Sequence, residues 1–531
     1  GKRLYGDDTY ARINVAKIKR IEILNGASSA LYGTNAIGGV INIITDDAKN
    51  AINVSSDTRY ASKGRFTQSV NIDVNTGKFG SYTSYRRQQA EGWQLNPYEE
   101  NSKTHELEET GKVASTGFYA NTVNQKFTFD ATDKLSFYAR GGYYDNKTRR
   151  PYEAYDYNIL HETFNYGIGA QYMINKGNYI TADCYADHFS SSYCFFKDNK
   201  TYNGKAGEEQ VRKRTRNHNL SIKGIFKLGN RHKLSVGTEY IVDVLKSQTD
   251  NIAKEDAYTL ALFAQDEIKL LRNLQALIGV RYIYHENFKN HATPNVALMY
   301  KPGKFNFRAS YAAGFRTPTL SELYATDIAK KNDRLTIGNL DLKPEKNNYF
   351  SLSAEYVHER FSVSVNAFYN NIRDMIDYNT IATGDKAMEQ YGHKEVRQRD
   401  NIAEAKVHGI NVSANAYLGA GFNLSGGYTH LNTQDVELEQ PIDKSIKNAY
   451  NINAQWAHSW KIYRLNINLN GRINSKRFSK SYGYAPEYQL WDLNTRHSFN
   501  LKSVIIEPGC GIENLFDYTD DRPYNLSLIH I

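Results

Sequence analysis

The sequence predicts an all-β protein whose antiparallel strands form a transmembrane barrel. Three observations support this prediction: stretches with a residue period of two, an abundance of aromatic residues, and connections that alternate between short and long polar segments. Of the 531 residues, 13% are aromatic, including 41 Tyr. No uninterrupted apolar run approaches the roughly 20 residues that a membrane-spanning helix needs. Composition by itself leaves a soluble, β-rich carbohydrate-binding protein open.

The first informative stretch, Ile18 to Thr45, predicts a small element that folds back on itself. Its residues alternate as a strand up to Leu24, turn at Gly26 and Gly33, and return to a strand after Gly39. Glycine suits such reversals because it adopts positive φ and permits close backbone approach. The glycine spacing fits neither common phosphate-loop pattern, so a phosphate site is disfavoured.

Further along the chain, pairs of alternating segments predict antiparallel hairpins. Residues 351–356 and 361–369 alternate between apolar and polar side chains on either side of a short turn at 358–360, and 410–416 and 422–428 repeat the design. Strands of a soluble sandwich would alternate in the same way. However, the short turns here alternate with long polar connections such as 325–336, which is typical of a barrel with one periplasmic and one outer rim.

Charge and cysteine content exclude other classes of protein. The formal net charge is +9, but the basic residues of 212–216 sit among turn-like polar segments, so we interpret them as loop or barrel-interior charge and predict no nucleic-acid partner. Cys184, Cys194 and Cys510 fit no disulfide framework or zinc pattern. A Cys184–Cys194 disulfide stays open beside the alternative of three unpaired thiols.

No pattern in the chain predicts catalysis. The sequence lacks HExxH, GxSxG, CxxC and zinc-deaminase motifs. Adjacent carboxylates such as Glu99 and Glu100 are explained by solvation of a polar connection. We therefore predict no catalytic residue, no metal site and no cofactor.

The early stretch also carries a family resemblance. Residues 20–24, 30–33 and 36–44 closely resemble, without gaps, the carboxy-terminal half of the plug domain of TonB-dependent outer-membrane receptors. The resemblance implies that residues 1–46 are the end of a plug and that residues 47–531 form a barrel of about 22 strands around it. The plug-motif residues are Glu22, Gly26, Tyr32, Gly33, Gly38 and Gly39.

Departures from the family pattern accompany this resemblance. Many relatives have Arg-Gly-Pro where residues 25–27 of this chain are Asn-Gly-Ala. If that Arg pairs with a barrel carboxylate in the relatives, the pairing is in question here. Residues 511–518 resemble the family's penultimate strand, but the following 526–531 lack its aromatic ending. We expect a fragment that begins in mid-plug, without the box that TonB contacts, and whose last strand is truncated or replaced.

A second stretch, 311–345, resembles the paired boxes of haem receptors and, more loosely, of other family members. The boxes are 315–318 and 339–342, and the resemblance implies ligand contacts at Arg316 and Asn339. We favour a structural interpretation, because Pro318 ends a strand by withdrawing a ladder donor. No His lies between the boxes, where a haem receptor is expected to carry its iron ligand. Tyr324 is the alternative ligand, since phenolate can bind haem iron.

Another candidate site is the aromatic-rich segment around 152–161. We predict that Tyr155 and His161 lie in a loop that could receive a planar macrocycle or a catechol, with an aromatic girdle as the alternative interpretation.

Taken together, the resemblance implies an importer of a scarce iron chelate, either siderophore or haem, in the outer membrane of a Gram-negative bacterium. The implied partners are the TonB energy-coupling complex and outer-membrane lipids, and a surface lipoprotein is left open. Alternatives are a cobalamin importer, or a barrel that serves as an adhesin or passive pore.

Overall fold

The computed structural model describes residues 12, 18–25, 39–45, 51–93, 98–100, 106–109, 113, 115–329, 333–480 and 483–518. Strands dominate it, and two short helices, α1 (Leu320–Tyr324) and α2 (Gly384–Tyr391), lie in connections. Neither has the length and apolar character that crossing a membrane would require, nor does any other helix of the described part. The strands are β1 (Ile18–Asn25), β2 (Gly39–Thr45), β3 (Ile52–Ala61), β4 (Arg65–Asn75), β5 (Phe79–Ala90), β6 (Tyr98–Glu100), β7 (Leu107–Glu109), β8 (Gly117–Asp130), β9 (Leu135–Arg149), β10 (Tyr157–Asn175), β11 (Asn178–Phe195), β12 (Glu209–Leu228), β13 (His232–Ser247), β14 (Ile252–Leu271), β15 (Leu274–His285), β16 (Lys289–Tyr300), β17 (Phe305–Arg316), β18 (Thr326–Ala329), β19 (Arg334–Ile337), β20 (Glu345–Val357), β21 (Phe361–Thr383), β22 (Glu395–Gly419), β23 (Phe422–Asp435), β24 (Asn448–Trp460), β25 (Tyr463–Asn474), β26 (Arg477–Ser479), β27 (Gly483–Ala485), β28 (Tyr488–Leu501), β29 (Val504–Ile506) and β30 (Gly509–Ile512).

One antiparallel meander runs from β3 to β30, each strand pairing with the next barrel strand along the chain. Within the described residues it has 21 strands, counting β29 and β30 together because both pair with β28. The two ends of the meander meet, since Glu513 after β30 forms ion pairs with Arg59 of β3 and Arg65 of β4. The predicted all-β barrel is confirmed. The expected last strand would fall after residue 518, outside the described part.

The barrel has apolar side chains outside and polar side chains inside. In β10, Phe164 and Ile168 are exposed, whereas Thr163 and Asn165 are buried. Other strands repeat this alternation with exposed Leu220, Ile222, Leu260, Leu262, Ile278 and Val280 beside buried Asn217, Asn219 and Arg281. A water-soluble sandwich would bury its apolar face instead. The arrangement is that of a surface in contact with lipid.

The two rims differ in their connections. One rim, the short rim, has connections of two to four residues, at 76–78, 131–134, 176–177, 229–231, 272–273, 301–304, 358–360, 420–421, 461–462 and 502–503. The opposite rim, the mouth, carries the longer ones, at 91–116, 196–208, 317–344, 384–394, 436–447 and 475–487. The predicted asymmetry is confirmed: the turn 358–360 lies at the short rim and 325–336 at the mouth. The predicted hairpin is also found, with Val357 opposite Ser362.

The early segment forms the predicted antiparallel pair β1–β2, in which Glu22 lies opposite Asn42. Glu22 accepts hydrogen bonds from Arg20 (2.6 Å) and Asn42 (2.9 Å). The last plug-motif glycine, Gly39, has φ of 143°, a region that favours glycine. The other plug-motif residues, Gly26, Tyr32, Gly33 and Gly38, lie outside the described residues.

A buried ion pair joins the early segment to the barrel wall. The Arg12 guanidinium donates to the Asp187 carboxylate at 2.5 Å, and the two side chains are 2% and 0% exposed. Asp187 lies on the inner face of β11, opposite the buried Asn165 of β10. Arg12 therefore reaches the interior of the barrel. An arginine of the early segment thus pairs with a barrel carboxylate, although residues 25–27 are Asn-Gly-Ala.

The structure answers one open question about β11 and corrects one expectation about β12. Cys184 and Cys194 both lie on β11, ten residues apart, which separates them by about 33 Å at about 3.3 Å per residue. A disulfide needs Cα atoms within roughly 7 Å, so the two cannot pair, and all three cysteines are free. The basic residues of 212–216 lie within β12 and not in a turn.

Candidate functional site

The longest connection at the mouth, residues 317–344, is here called the mouth segment. It begins where β17 ends, and its helix α1 contacts β13 and β14. Its hairpin β18–β19 then pairs in parallel with β22, with Leu335 opposite Val396. Because β14 and β22 lie on either side of β17 in the barrel order, this segment extends along the mouth in both directions.

Arg316 ties the base of the mouth segment together. Its guanidinium donates two hydrogen bonds to Glu345, the first residue of β20 (2.8 and 2.6 Å), and two to Glu322 of α1 (2.9 and 3.2 Å). Such paired guanidinium–carboxylate bonds are among the strongest in proteins. Glu322 also completes a capping box with Thr319, which starts the helix. The first box thus joins β17, α1 and β20.

Tyr324 and Asn339 also lie in the mouth segment, and their side chains contact other parts of it. Tyr324 packs with Phe288 against the buried cluster of Leu323, Leu342 and Ile376. Burial raises the pKa of the Tyr324 phenol, which opposes the phenolate that iron ligation would use. The Asn339 side chain accepts from the backbone N–H of Asp341 (2.9 Å), so it shapes its own turn.

Removing the Arg316 side chain is expected to release the mouth segment. Arg316→Ala would leave two largely buried carboxylates without their cation, at an estimated cost of about 2 kcal/mol in this partly exposed site. Limited proteolysis and hydrogen exchange within 317–344 should accelerate severalfold. Arg360→Ala, in an exposed turn at the short rim, is the matched control and should leave both rates unchanged.

The ion pair of Arg316 and Glu322 predicts that the mouth segment is less stable at acidic pH. Burial by itself raises the pKa of Glu322, but hydrogen bonds from Arg316 and Thr319 outweigh it and hold the pKa below its usual range. The folded value is thus lower than the unfolded one. The stabilisation is complete above the unfolded pKa and is lost as the pH falls through the folded pKa.

A second group, here called the aromatic wall, stands at the mouth ends of β10 to β12 and comprises Tyr157, Tyr193, Tyr202, Arg150 and Arg212. The rings of Tyr157 and Tyr193 stack with centroids 4.1 Å apart, and Tyr202 packs edge-on at 5.8 and 5.1 Å from them. Arg150 lies over Tyr157 (5.1 Å), and Arg212 lies over Tyr193 (5.3 Å) and Tyr202 (5.0 Å).

The aromatic wall faces the barrel interior, and two of its N–H donors lack a hydrogen-bond acceptor among the described residues. Tyr157 and Tyr193 share the strand faces of the buried Thr163 and Asp187. Among the described residues, no acceptor serves the buried Nε atoms of Arg150 and Arg212. The wall therefore offers aromatic faces and cationic donors together, a combination that suits a ligand with flat rings and negative charge.

The sequence-predicted site residues divide between these two groups. Tyr155 lies beneath the Arg150 guanidinium at 5.0 Å, next to the aromatic wall. His161 is in strand β10 and not in a loop, with its ring 5.4 Å from Phe189. Arg316, Tyr324 and Asn339 belong instead to the base of the mouth segment. Sequence reasoning missed Tyr193 and Tyr202. A tyrosine shortly before the polar connection 196–208 and another within it were the only local signal.

Histidines near the boxes also have structural partners. His291 contacts the carbonyl oxygen of Phe288 at 3.0 Å, and His285 accepts from the backbone N–H of Asn287 at 3.1 Å. His358 lies at the short rim, as predicted. In the part of the chain that the structure describes, no group of three His, Cys, Asp or Glu side chains is placed to hold a metal ion.

Comparison with known proteins assigns the family. The family model "TonB dependent receptor-like, beta-barrel" matches residues 65–515, and the model of the TonB-dependent receptor plug domain matches residues 1–40.

Solved structures of low sequence identity share the fold. A mutant of the ferric enterobactin receptor PfeA from Pseudomonas aeruginosa is 16% identical, with a TM-score of 0.81 over 97% of this chain and 81% of that one. The siderophore receptor PirA from Acinetobacter baumannii is 16% identical (TM-score 0.75; 96% and 82%). The FrpB iron transporter from Neisseria meningitidis is 14% identical (TM-score 0.75; 95% and 84%).

Members of the matched family are outer-membrane receptors that work with TonB and transport ligands; they are not enzymes. The match to the barrel model spans most of the chain, and the described residues form a β-barrel with an apolar exterior. This chain belongs to the TonB-dependent receptor family.

Proposed function

We propose that this receptor imports an iron chelate of the siderophore class across the outer membrane of a Gram-negative bacterium. The aromatic wall is the observation that carries the proposal, because it presents tyrosine rings and guanidinium groups toward the interior near the mouth. Chelates with aromatic, negatively charged donor groups suit both features. The similarity in fold to PfeA, PirA and FrpB, whose names state ferric enterobactin, siderophore and iron, supports the same cargo class.

Siderophore is favoured over haem by the surroundings of the candidate iron ligands. Tyr324 packs into an apolar cluster, and His285 and His291 are engaged with neighbouring backbone groups. Arg316 and Asn339 act in this proposal as supports of the mouth segment, while Tyr155 and His161 border the bound ligand.

We further propose that residues 1–46 serve as the end of a plug and 47–531 as the barrel that contains it. In this scheme the plug blocks passive flow, and the TonB complex supplies the work that displaces it. Capture before transport is useful because scarce chelates are too dilute for uptake through a passive pore. Outer-membrane lipids surround the apolar exterior, and nucleic acid has no role.

Substituting tyrosines of the aromatic wall by alanine tests which ligand the receptor binds. Each stacking contact contributes about 0.5–1.5 kcal/mol, so Tyr157→Ala combined with Tyr193→Ala should weaken binding of ferric enterobactin by about 10- to 100-fold. The measurement is equilibrium binding to the purified receptor in detergent, with haem and cobalamin in parallel. Tyr417→Ala, an exposed tyrosine near the short rim, is the matched control. Unchanged affinity in the double variant, or tight binding of cobalamin alone, would refute the proposal.

A further inference from the structure

A separate cavity lies between the mouth segment and the strands beside it. It is partly open to the surroundings and has a volume of about 160 Å³. Its floor is formed by β19, β22 and β21, which pair side by side in that order. Alternation along these strands places Leu335 and Val396 against α2 on one face. The other face presents three guanidinium groups to the cavity, those of Arg334, Arg397 and Arg399.

The opposite side of the cavity comes from α1 and from the turn between β13 and β14. Ser321 and Asp250 line it and are bonded to each other, with the serine hydroxyl donating to the Asp250 carboxylate at 3.2 Å. Asp327 is the second carboxylate of the lining. Three cations thus face two carboxylates, one of which is already engaged with a hydroxyl group.

The three arginines differ in their partners. Arg397 donates to Glu395 at 2.5 Å, which neutralises it locally. Arg399 lies 3.5 Å over the Tyr378 ring and donates to the hydroxyl of that tyrosine, an arrangement that orients the guanidinium without neutralising it. The Nε of Arg334 is buried, and no acceptor within the described residues is in hydrogen-bond range of it.

Within the part of the chain that the structure describes, Arg334 and Arg399 have no bonded carboxylate, and both line the same small cavity. Both guanidinium groups are half-buried. An oxyanion in the cavity would accept hydrogen bonds from several of their N–H donors at once. The volume admits a carboxylate or a phosphate group. Thr336 adds a hydroxyl to the same lining.

We propose that this cavity is a binding site for an oxyanion, held by Arg334 of the mouth segment and Arg399 of β22. The bound group carries either a carboxylate or a phosphate, and it bridges the mouth segment to the barrel. The site is distinct from the aromatic wall, which lies on β10 to β12. It therefore does not rest on the cargo proposed above.

Equilibrium titration of the purified full chain with inorganic phosphate and with malonate tests the site. We expect one of the two to bind, and Arg334→Gln and Arg399→Gln each to weaken that binding at least tenfold. Arg399→Lys keeps the charge but loses the planar fork, so it should give an intermediate affinity. Arg360→Gln makes the same charge change at the short rim and should bind like the wild type.

Binding of phosphate alone would identify a phosphate-type ligand, and binding of malonate alone a carboxylate-type ligand. The proposal is overturned if neither anion binds at about 10 mM, or if both glutamine variants retain wild-type affinity. Tyr157→Ala should keep the anion affinity. A failure of the cargo assignment is then distinguishable from a failure of this site.

Discussion

Asp187→Asn is expected to loosen the plug and to make the barrel conduct ions. Arg12 and Asp187 form an ion pair whose side chains are almost fully excluded from water, and the Tyr185 hydroxyl also donates to the carboxylate at 3.3 Å. Removing one charge of a buried pair costs about 3–5 kcal/mol, because the remaining charge loses its bonded counter-ion in a site that water does not reach. The expected measurement is a rise in conductance across planar bilayers relative to the wild type.

Two further variants make this experiment specific. Asp145→Asn is the matched control, since Asp145 is a barrel carboxylate that accepts from the neutral amide of Asn121. It should leave conductance low. Combining Arg12→Met with Asp187→Leu replaces both charges by apolar groups, which is often neutral for stability, and should restore the closed state. Equal conductance in Asp187→Asn and the wild type would show that this ion pair does not retain the plug.

The second large effect is a loss of stability, expected when a charge is placed on the outer surface of the barrel. Leu262 lies near the centre of β14 with 52% of its side chain exposed, on the face that we assign to lipid. Leu262→Arg should destabilise the membrane-inserted barrel by about 2–4 kcal/mol, the cost of an arginine near the bilayer midplane. Urea titration of the protein folded into phospholipid vesicles measures the change.

Leu438→Arg is the matched substitution for this test. Leu438 is similarly exposed, at 56%, but lies in the connection 436–447 at the mouth. Water reaches a charge there, so the free energy of unfolding should change by less than about 0.5 kcal/mol. Equal effects of the two substitutions would contradict a lipid-facing position for β14.

Prediction from sequence succeeded where the signal is local. The hairpin of β20 and β21 was predicted with its turn at 358–360 because the apolar period of two reports which side chains share a face. It failed for His161, because an aromatic-rich sequence can continue a strand as readily as form a loop. The sequence left a Cys184–Cys194 disulfide open, and the structure excludes it, since a continuous strand holds residues ten apart at a long fixed distance.

The sequence by itself determined that the chain is made of alternating strands, that its two rims differ, and that an early segment resembles a plug. Only the tertiary structure decided which polar groups meet: Arg316 with Glu322 and Glu345, Arg12 with Asp187, and Tyr157 with Tyr193 and Tyr202. The physical reason is the distance along the chain over which each feature is decided. Alternation depends on neighbouring residues, whereas these contacts join different strands and connections that meet only in the folded chain.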